Sequence, residues 1–86
     1  MKIYVVINNG FNERENSVDY SFELFTTKED AMKYFKTRKS ALLRYAYSSG
    51  VRRENVVEYT KEDNRFYIEA ENWGNEELYI EERIAR

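Results

Sequence analysis

A single long amphipathic segment in the middle of the chain is the feature that most constrains the fold. It starts at "TTKEDAMKYF", where Thr26 and Glu29 have the spacing of a helix capping box. With about 100° of rotation per residue, one stripe of this segment is apolar. The stripe contains Ala31, Phe35, Leu42 and Ala46. Because Gly50 ends the pattern, we predict a helix over about 27–49 whose apolar stripe packs on a sheet.

Short segments of alternating apolar and polar residues lie on both sides of this helix. Two precede it and three follow it, at about 2–8, 18–25, 56–60, 65–71 and 77–84. The polar stretch between the first two strands is predicted to be a long loop. The sequence therefore predicts one domain of the α+β class, with the order ββαβββ: a single-layer antiparallel sheet of about five strands with one helix packed on one face.

The residue types that are missing exclude much chemistry. The 86-residue chain has no Cys and no His, so it lacks thiolate nucleophiles, disulfides, the commonest general base and the commonest transition-metal ligand. We therefore expect no enzymatic activity, no cofactor and no metal site. The longest apolar run, Ile3–Ile7, is far shorter than the roughly 20 residues of a membrane helix, and no signal-peptide pattern precedes it. These features predict a cytoplasmic protein with no membrane partner.

The tripeptide Tyr-Ile-Glu occurs on both of the last two predicted strands, at Tyr67–Glu69 and at Tyr79–Glu81. Because the isoleucines must face the helix, the tyrosines and glutamates must face away from it. Tyrosine is enriched at protein interfaces, and a field of carboxylates attracts a partner with a basic surface. We therefore predict a protein-binding surface on this face. Its predicted residues are Tyr67, Glu69, Glu71, Trp73, Tyr79 and Glu81.

Two alternatives remain for the pairing of these last two strands. A two-residue turn between them is rejected unless a bulge intervenes, because it would turn a row of glutamates towards the core. One alternative pairs Tyr67 with Tyr79, and the other forms a three-residue loop over 73–75. The second alternative would set Arg65 opposite Arg83. Because these are like charges, the charges favour the first alternative.

Two further features of the strands are predicted from the same alternation. The core side of the last two strands is expected to hold Phe66, Ile68, Ala70, Leu78, Ile80 and Ile84. Tyr4 and Val6 of the first strand are expected to extend the tyrosine face on the other side.

Charge is segregated along the chain, although the net charge is only −2. Residues 31–53 contain seven basic residues and no acidic one, whereas residues 54–86 contain ten acidic and four basic residues. A basic helix face can contact phosphates, so nucleic-acid binding is an alternative function, although the pI of about 5.2 opposes it. The residues would be Lys33, Lys36, Arg44, Arg52 and Arg53. A homodimer that uses the helix-free side of the sheet is a third alternative.

The segments "MKIYVV", "FELFTTKEDAMKYF" and "VVEY" resemble small phage and mobile-element proteins of unknown function. These proteins open with MKVYVV and have a similarly capped helix. The resemblance covers the first strand, the end of the second, the helix start and the third strand, and it implies no catalytic residues. By analogy it implies an inhibitor of a host defence protein, of the anti-CRISPR or another anti-defence type, in the cytoplasm of a phage-infected bacterial cell.

Overall fold

The computed structural model describes residues 1–13, 15–48, 56–61, 64–70 and 73–84, with the backbone alone for 56–61. Its elements are β1 (Lys2–Asn12), β2 (Ser17–Phe25), α1 (Lys28–Ser48), β3 (Val56–Lys61), β4 (Arg65–Ala70) and β5 (Gly74–Ile84). The strands pair antiparallel in the order β2-β1-β5-β4-β3, and side chains are described on all of them except β3. The predicted α+β class, with one helix on an antiparallel sheet, is confirmed.

The cap of the helix lies one residue later than predicted. The hydroxyl of Thr27, not that of Thr26, accepts a hydrogen bond from the backbone N–H of Asp30 at 3.2 Å. This bond satisfies one of the free N–H groups of the first turn, and the acidic residues Glu29 and Asp30 suit the positive end of the helix dipole. The buried residues of α1 are those of the predicted stripe: Ala31, Phe35, Leu42 and Ala46.

The core lies between this stripe and one side of the sheet. Val6, Phe66, Ile68 and Leu78 are each at most 1% exposed and pack in one cluster with the helix. Five partly buried residues surround the cluster: Tyr4, Phe25, Tyr34, Leu43 and Ile80. Burying each large apolar side chain contributes roughly 1.5–3 kcal/mol, so these contacts dominate the stability of so small a domain.

Three predicted positions are wrong. Val6 and Tyr4 face the helix, because the whole of β1 has the opposite side-chain direction to the predicted one. Ile84 is 75% exposed, because it lies at the end of β5 beyond the reach of α1.

The predicted long loop between β1 and β2 is mostly strand. β1 continues to Asn12, β2 begins at Ser17, and the side-chain oxygen of Asn12 accepts a hydrogen bond from the N–H of Glu15 at 3.1 Å in the turn. The asparagines and the glycine of this stretch have low strand propensity. β1 nevertheless pairs with β2 on one side and β5 on the other, and tertiary pairing overrides propensity.

The pairing of β4 with β5 differs from both predicted alternatives. Phe66 pairs with Leu78 and Ala70 pairs with Gly74, which leaves residues 71–73 as the connection. The predicted side-chain directions of the two strands are nevertheless correct, because the shift from the favoured alternative is two residues. The shift sets Tyr67 opposite Glu77 and Glu69 opposite Asn75. The favoured alternative would have set Glu69 opposite Glu77, and the observed pairing avoids this pair of like charges.

The observed connection depends on Gly74, which has a φ of 121°. A Cβ at this position would collide with the backbone carbonyl oxygen of Phe11. We expect Gly74→Ala to lower the free energy of unfolding by about 1–3 kcal/mol, because it adds this clash to a conformation that L residues rarely adopt. Urea denaturation followed by circular dichroism measures the loss.

The matched control is Asn75→Ala, which truncates the neighbouring residue of the same strand. It is expected to cost less than about 1 kcal/mol. Equal stability of the two variants would contradict the role given to Gly74.

Candidate interaction face

The side of the sheet that α1 leaves uncovered is the candidate site, and we call it the open face. The pairing of the strands sets alternate residues of each strand on this side. Its described members are Ile3, Val5, Ile7, Asn9 and Phe11 of β1, Val18, Tyr20, Phe22 and Leu24 of β2, Arg65, Tyr67 and Glu69 of β4, and Asn75, Glu77, Tyr79, Glu81 and Arg83 of β5.

The most unusual part of the open face lies on β2, the last strand at one edge of the sheet. Four large apolar residues alternate along it, and we call them the β2 stripe: Val18, Tyr20, Phe22 and Leu24. They are 76%, 62%, 55% and 58% exposed, and the ring centroids of Tyr20 and Phe22 are 6.1 Å apart. Single exposed apolar residues are ordinary, but a contiguous row of them marks an interaction surface.

The middle of the open face is buried, although α1 lies on the other side of the sheet. Val5 and Ile7 of β1 are each only 2% exposed. In the pairing of the strands they lie between Leu24 and Phe22 on β2 and the larger side chains of β5, which include Tyr79. The open face therefore has buried apolar residues on β1 and exposed apolar residues on β2.

Four of the predicted residues, Tyr67, Glu69, Tyr79 and Glu81, lie on the open face. The Tyr67 hydroxyl donates a hydrogen bond to the Glu69 carboxylate at 2.6 Å, so this tyrosine and this glutamate act as one polar group. Tyr79 lies under the guanidinium of Arg65, 4.9 Å from the ring centroid. Burial, followed by the nearby negative charges of Glu77 and Glu81, raises the pKa of Tyr79 above its usual value of 10.

The carboxylates of the open face are partly neutralised by arginines of the same face. Arg83 donates two hydrogen bonds to Glu81, at 3.1 and 3.2 Å, and these bonds lower the pKa of Glu81. Arg65 lies 3.9 Å from Glu77. These surface pairs contribute little stability. Their effect is to reduce the predicted acidic field, which leaves the apolar β2 stripe as the stronger signal.

Two of the six predicted protein-binding residues are not part of this surface as described. Trp73 is 6% exposed and packs in the core, with its ring centroid 5.9 Å from that of Tyr45, so it is not exposed on the open face, and its binding to a partner stays a prediction. Its N–H and carbonyl bond to Ala70 and Glu13, which holds the β4–β5 connection over the end of the core. Glu71 lies outside the described residues.

The basic residues of the alternative function are in part where the sequence predicts them. Lys33, Lys36 and Arg44 are exposed on α1, whereas Arg52 and Arg53 lie outside the described residues. Two other basic residues of α1 turn back to the sheet. The Arg38 guanidinium donates a hydrogen bond to the Asn8 side-chain oxygen at 2.9 Å, and the Lys39 ammonium lies 5.3 Å from the ring centroid of Phe66.

A polar cluster lies at the border of the core, under α1. The buried Asn8 accepts from Arg38 and donates to the Glu76 carboxylate at 2.7 Å. Gly10 makes room for that carboxylate, because a Cβ there would collide with it. Burial raises the pKa of Glu76 above its usual value of 4.5, the Asn8 hydrogen bond opposes this rise, and the charge of Asp19 adds to it. A cavity of about 130 Å³ lies beside the cluster, between Asp19, Glu76, Trp73 and Tyr45.

Sequence reasoning missed the β2 stripe as a binding surface, although a signal for it was present. Phe25 stands directly before the helix and packs against Tyr34 of α1 with ring centroids 5.3 Å apart. Because Phe25 must face the helix, side-chain alternation sends Glu23, Ser21 and Asp19 to the same side. The apolar residues of β2 must then face away from the helix.

No protein-family model, curated protein or solved structure matches the chain. The described residues contain no helix with the length and apolarity to cross a membrane. Nor do they contain a group of three or more carboxylates arranged to hold a metal ion. The physical character of the surface is therefore what indicates a function.

The raised pKa of Glu76 leads to a test of the polar cluster. Because the ionised carboxylate is disfavoured in the folded state, wild-type protein gains stability as the pH falls through the folded pKa towards 4.5. Glu76→Gln keeps an acceptor for Asn8 but removes the charge. We expect the variant to be more stable than wild type at pH 7, by less than about 1 kcal/mol, and the difference to shrink on acidification.

Thermal unfolding at a series of pH values between 7 and about 4.5 measures this difference. Glu69→Gln, on the exposed surface of β4, is measured in parallel as the removal of a surface carboxylate. A stability difference for Glu76→Gln that stays constant with pH would contradict the assignment.

Proposed function

We propose that the chain is a non-enzymatic protein-binding module and that the open face is its docking surface. The single observation that carries the proposal is the β2 stripe, four large apolar residues that are each more than half exposed in one row. Removing such a row from water is favourable by roughly 25 cal/mol for each Å² that a partner covers. The partner must therefore present an apolar surface to β2.

The character of β2 as an edge strand supports this proposal. Soluble proteins usually protect edge strands with lysine, proline, a bulge or a covering element. The sequence of β2, SVDYSFELF, contains neither lysine nor proline, and it pairs with β1 without interruption. Its charged residues, Asp19 and Glu23, lie on the helix side and do not interrupt the stripe. An unprotected strand with an apolar face is typical of a surface that a partner covers.

The charges of the open face favour a protein partner over a nucleic acid. The described charges are the carboxylates of Glu69, Glu77 and Glu81 and the guanidinium groups of Arg65 and Arg83. Both arginines already contact carboxylates of the same face, so phosphate groups would meet an excess of negative charge. An apolar centre with a mixed polar rim is the usual composition of a protein interface.

The inhibitor role that the phage resemblance implies remains a prediction within this proposal. A module that binds through an open sheet face acts by covering a surface of its target, which requires no catalytic residue. The proposal places this action in the cytoplasm of a bacterial cell, as the resemblance implies.

The test compares partner capture by tagged variants. Phe22→Asp places a charge in the middle of the β2 stripe, and we expect it to weaken partner binding at least about tenfold, since the centre of an interface carries most of the binding energy. Ile84→Asp is the matched control, because Ile84 is also a mostly exposed apolar residue, 75% against 55% for Phe22, but lies on the helix side of the sheet. Quantitative mass spectrometry of the captured proteins measures the difference.

The proposal requires that proteins captured by wild type are retained by Ile84→Asp and lost by Phe22→Asp. Circular dichroism must show that both variants are folded, and Leu24→Asp serves as a second variant of the stripe if Phe22→Asp is not. Capture of the same proteins at the same level by every variant would contradict the proposal.

The exposed Lys33, Lys36 and Arg44 keep nucleic-acid binding as the alternative function. A titration of labelled DNA and RNA at several salt concentrations separates the two. We expect no binding at micromolar protein concentration. Tight binding that weakens steeply with salt and is lost in a Lys33→Glu, Lys36→Glu variant would favour the alternative.

A further inference from the structure

We infer that the open face binds a second copy of this chain, with the two sheets packed face to face and the helices outside. This inference rests on the proposed function and names its partner. The two β2 strands run in opposite directions across the interface, and a twofold axis passes at the level of Ser21. A closed twofold dimer uses the same surface of both copies, so the surface must be complementary to itself.

The β2 stripe has this self-complementarity. Along the strand its order is Val18, Tyr20, Phe22, Leu24, with two aromatic rings inside and two aliphatic side chains outside. Reversal about Ser21 sets Tyr20 against Phe22 of the second copy and Val18 against Leu24 of the second copy. Each ring therefore meets a ring and each aliphatic side chain meets an aliphatic one.

The rotation brings charged residues on the far side of the open face to common levels. Strand pairing sets Arg65 in one row with Phe22, and Glu77 in one row with Tyr20. Because the rotation exchanges these two rows, Arg65 of each copy comes to the level of Glu77 of the other, which is a favourable pair. It also exchanges the row of Leu24 with the row of Val18, so Glu81 of each copy comes to the level of Glu69 of the other; the bond of Glu81 to Arg83 reduces this repulsion. The apolar match of the β2 stripe, and not the charges, therefore carries the arrangement.

The open face is of the size that a specific dimer interface needs. Strands β2, β1 and β5 pair along nine residues of β2, and β4 adds six residues at the far side. With about 4.8 Å between strands and about 3.4 Å per residue, this footprint is roughly 550 Å² per copy, and the two copies together reach about the 1,000 Å² that a specific interface buries. Because Val5 and Ile7 are already buried, the newly covered area comes from their exposed neighbours, such as the β2 stripe.

Edge-to-edge pairing of two β2 strands fits less well. In the arrangement centred on Ser21, it would set Asp19 directly beside Glu23 of the second copy on the helix side. Like charges in directly opposed positions are destabilising. The face-to-face arrangement avoids this contact because both carboxylates point away from the interface.

The first experiment measures mass in solution. Sedimentation equilibrium is measured over a range of protein concentrations. Wild type and the Ile84→Asp control should be dimers. Phe22→Asp should still be a monomer at concentrations at least about tenfold above those at which half of the wild-type dimer dissociates. A wild type that stays monomeric at millimolar concentration would overturn the inference. So would a dimer that Phe22→Asp and Leu24→Asp both leave intact.

The second experiment uses the absence of native cysteine to map the contact. Val18→Cys and Leu24→Cys variants are mixed and treated with a short bismaleimide, since packed sheets about 10 Å apart are too distant for a direct disulfide. We expect a cross-link between the two variants in the mixture. Neither variant alone should cross-link to itself, because its two thiols would lie about 20 Å apart along the strands.

The Ser21→Cys variant distinguishes the face-to-face dimer from the edge-to-edge dimer. In the face-to-face dimer this thiol points towards the helix of its own copy and forms no intermolecular disulfide. Edge-to-edge pairing would bring the two thiols together, so rapid disulfide formation by Ser21→Cys would overturn the face-to-face arrangement.

The inference and the proposed function fail separately. A monomeric wild type whose cellular partners are lost in Phe22→Asp would overturn the dimer and keep the docking surface. Conversely, the docking surface itself fails if Phe22→Asp changes neither partner capture nor mass.

Discussion

The packing of one helix stripe against one side of the sheet is the contact on which the remaining structure depends. Phe35 and Leu42 of α1 meet Val6 of β1, Ile68 of β4 and Leu78 of β5 in a single cluster. Since side chains alternate along a strand, burying one of these residues decides the direction of every other residue on the same strand. The residues that lie on the open face are thus decided by the residues that the core buries. Among the described residues α1 is the one helix, and it covers one side of the sheet.

Much of the fold follows from local patterns, but the details of pairing do not. The helix stripe, the antiparallel sheet and the outward direction of Tyr67 and Tyr79 can be predicted because alternation and helical spacing report burial directly. The direction of β1 cannot be predicted in the same way, because Val6 and Val5 are both apolar and both buried, on opposite sides of the sheet. A central strand buried on two sides lacks the polar residues that would mark its outer side.

The shift between β4 and β5 shows a second limit. Cross-strand charges favoured one alternative, but pairs of this kind contribute only about 0.2–1 kcal/mol each. Two other contacts fit the observed pairing. At Gly74 the backbone passes so close to Phe11 that a side chain would collide with it. The Glu76 carboxylate accepts a hydrogen bond from Asn8 and occupies the space that Gly10 leaves. Both depend on contacts between residues more than sixty positions apart. No local pattern in the sequence carries that information.

The central place of β1 has a consequence for how the chain is made. Its two partners are β2, which follows it directly, and β5, the last strand, whose Ile84 pairs with Lys2. During synthesis one side of β1 therefore stays without its partner until β5, more than sixty residues later in the chain, has been made. Pairings of such high sequence separation form late and slowly. Until β5 pairs, an apolar strand has one unpaired side, and this interval is when association with other chains competes most strongly with folding.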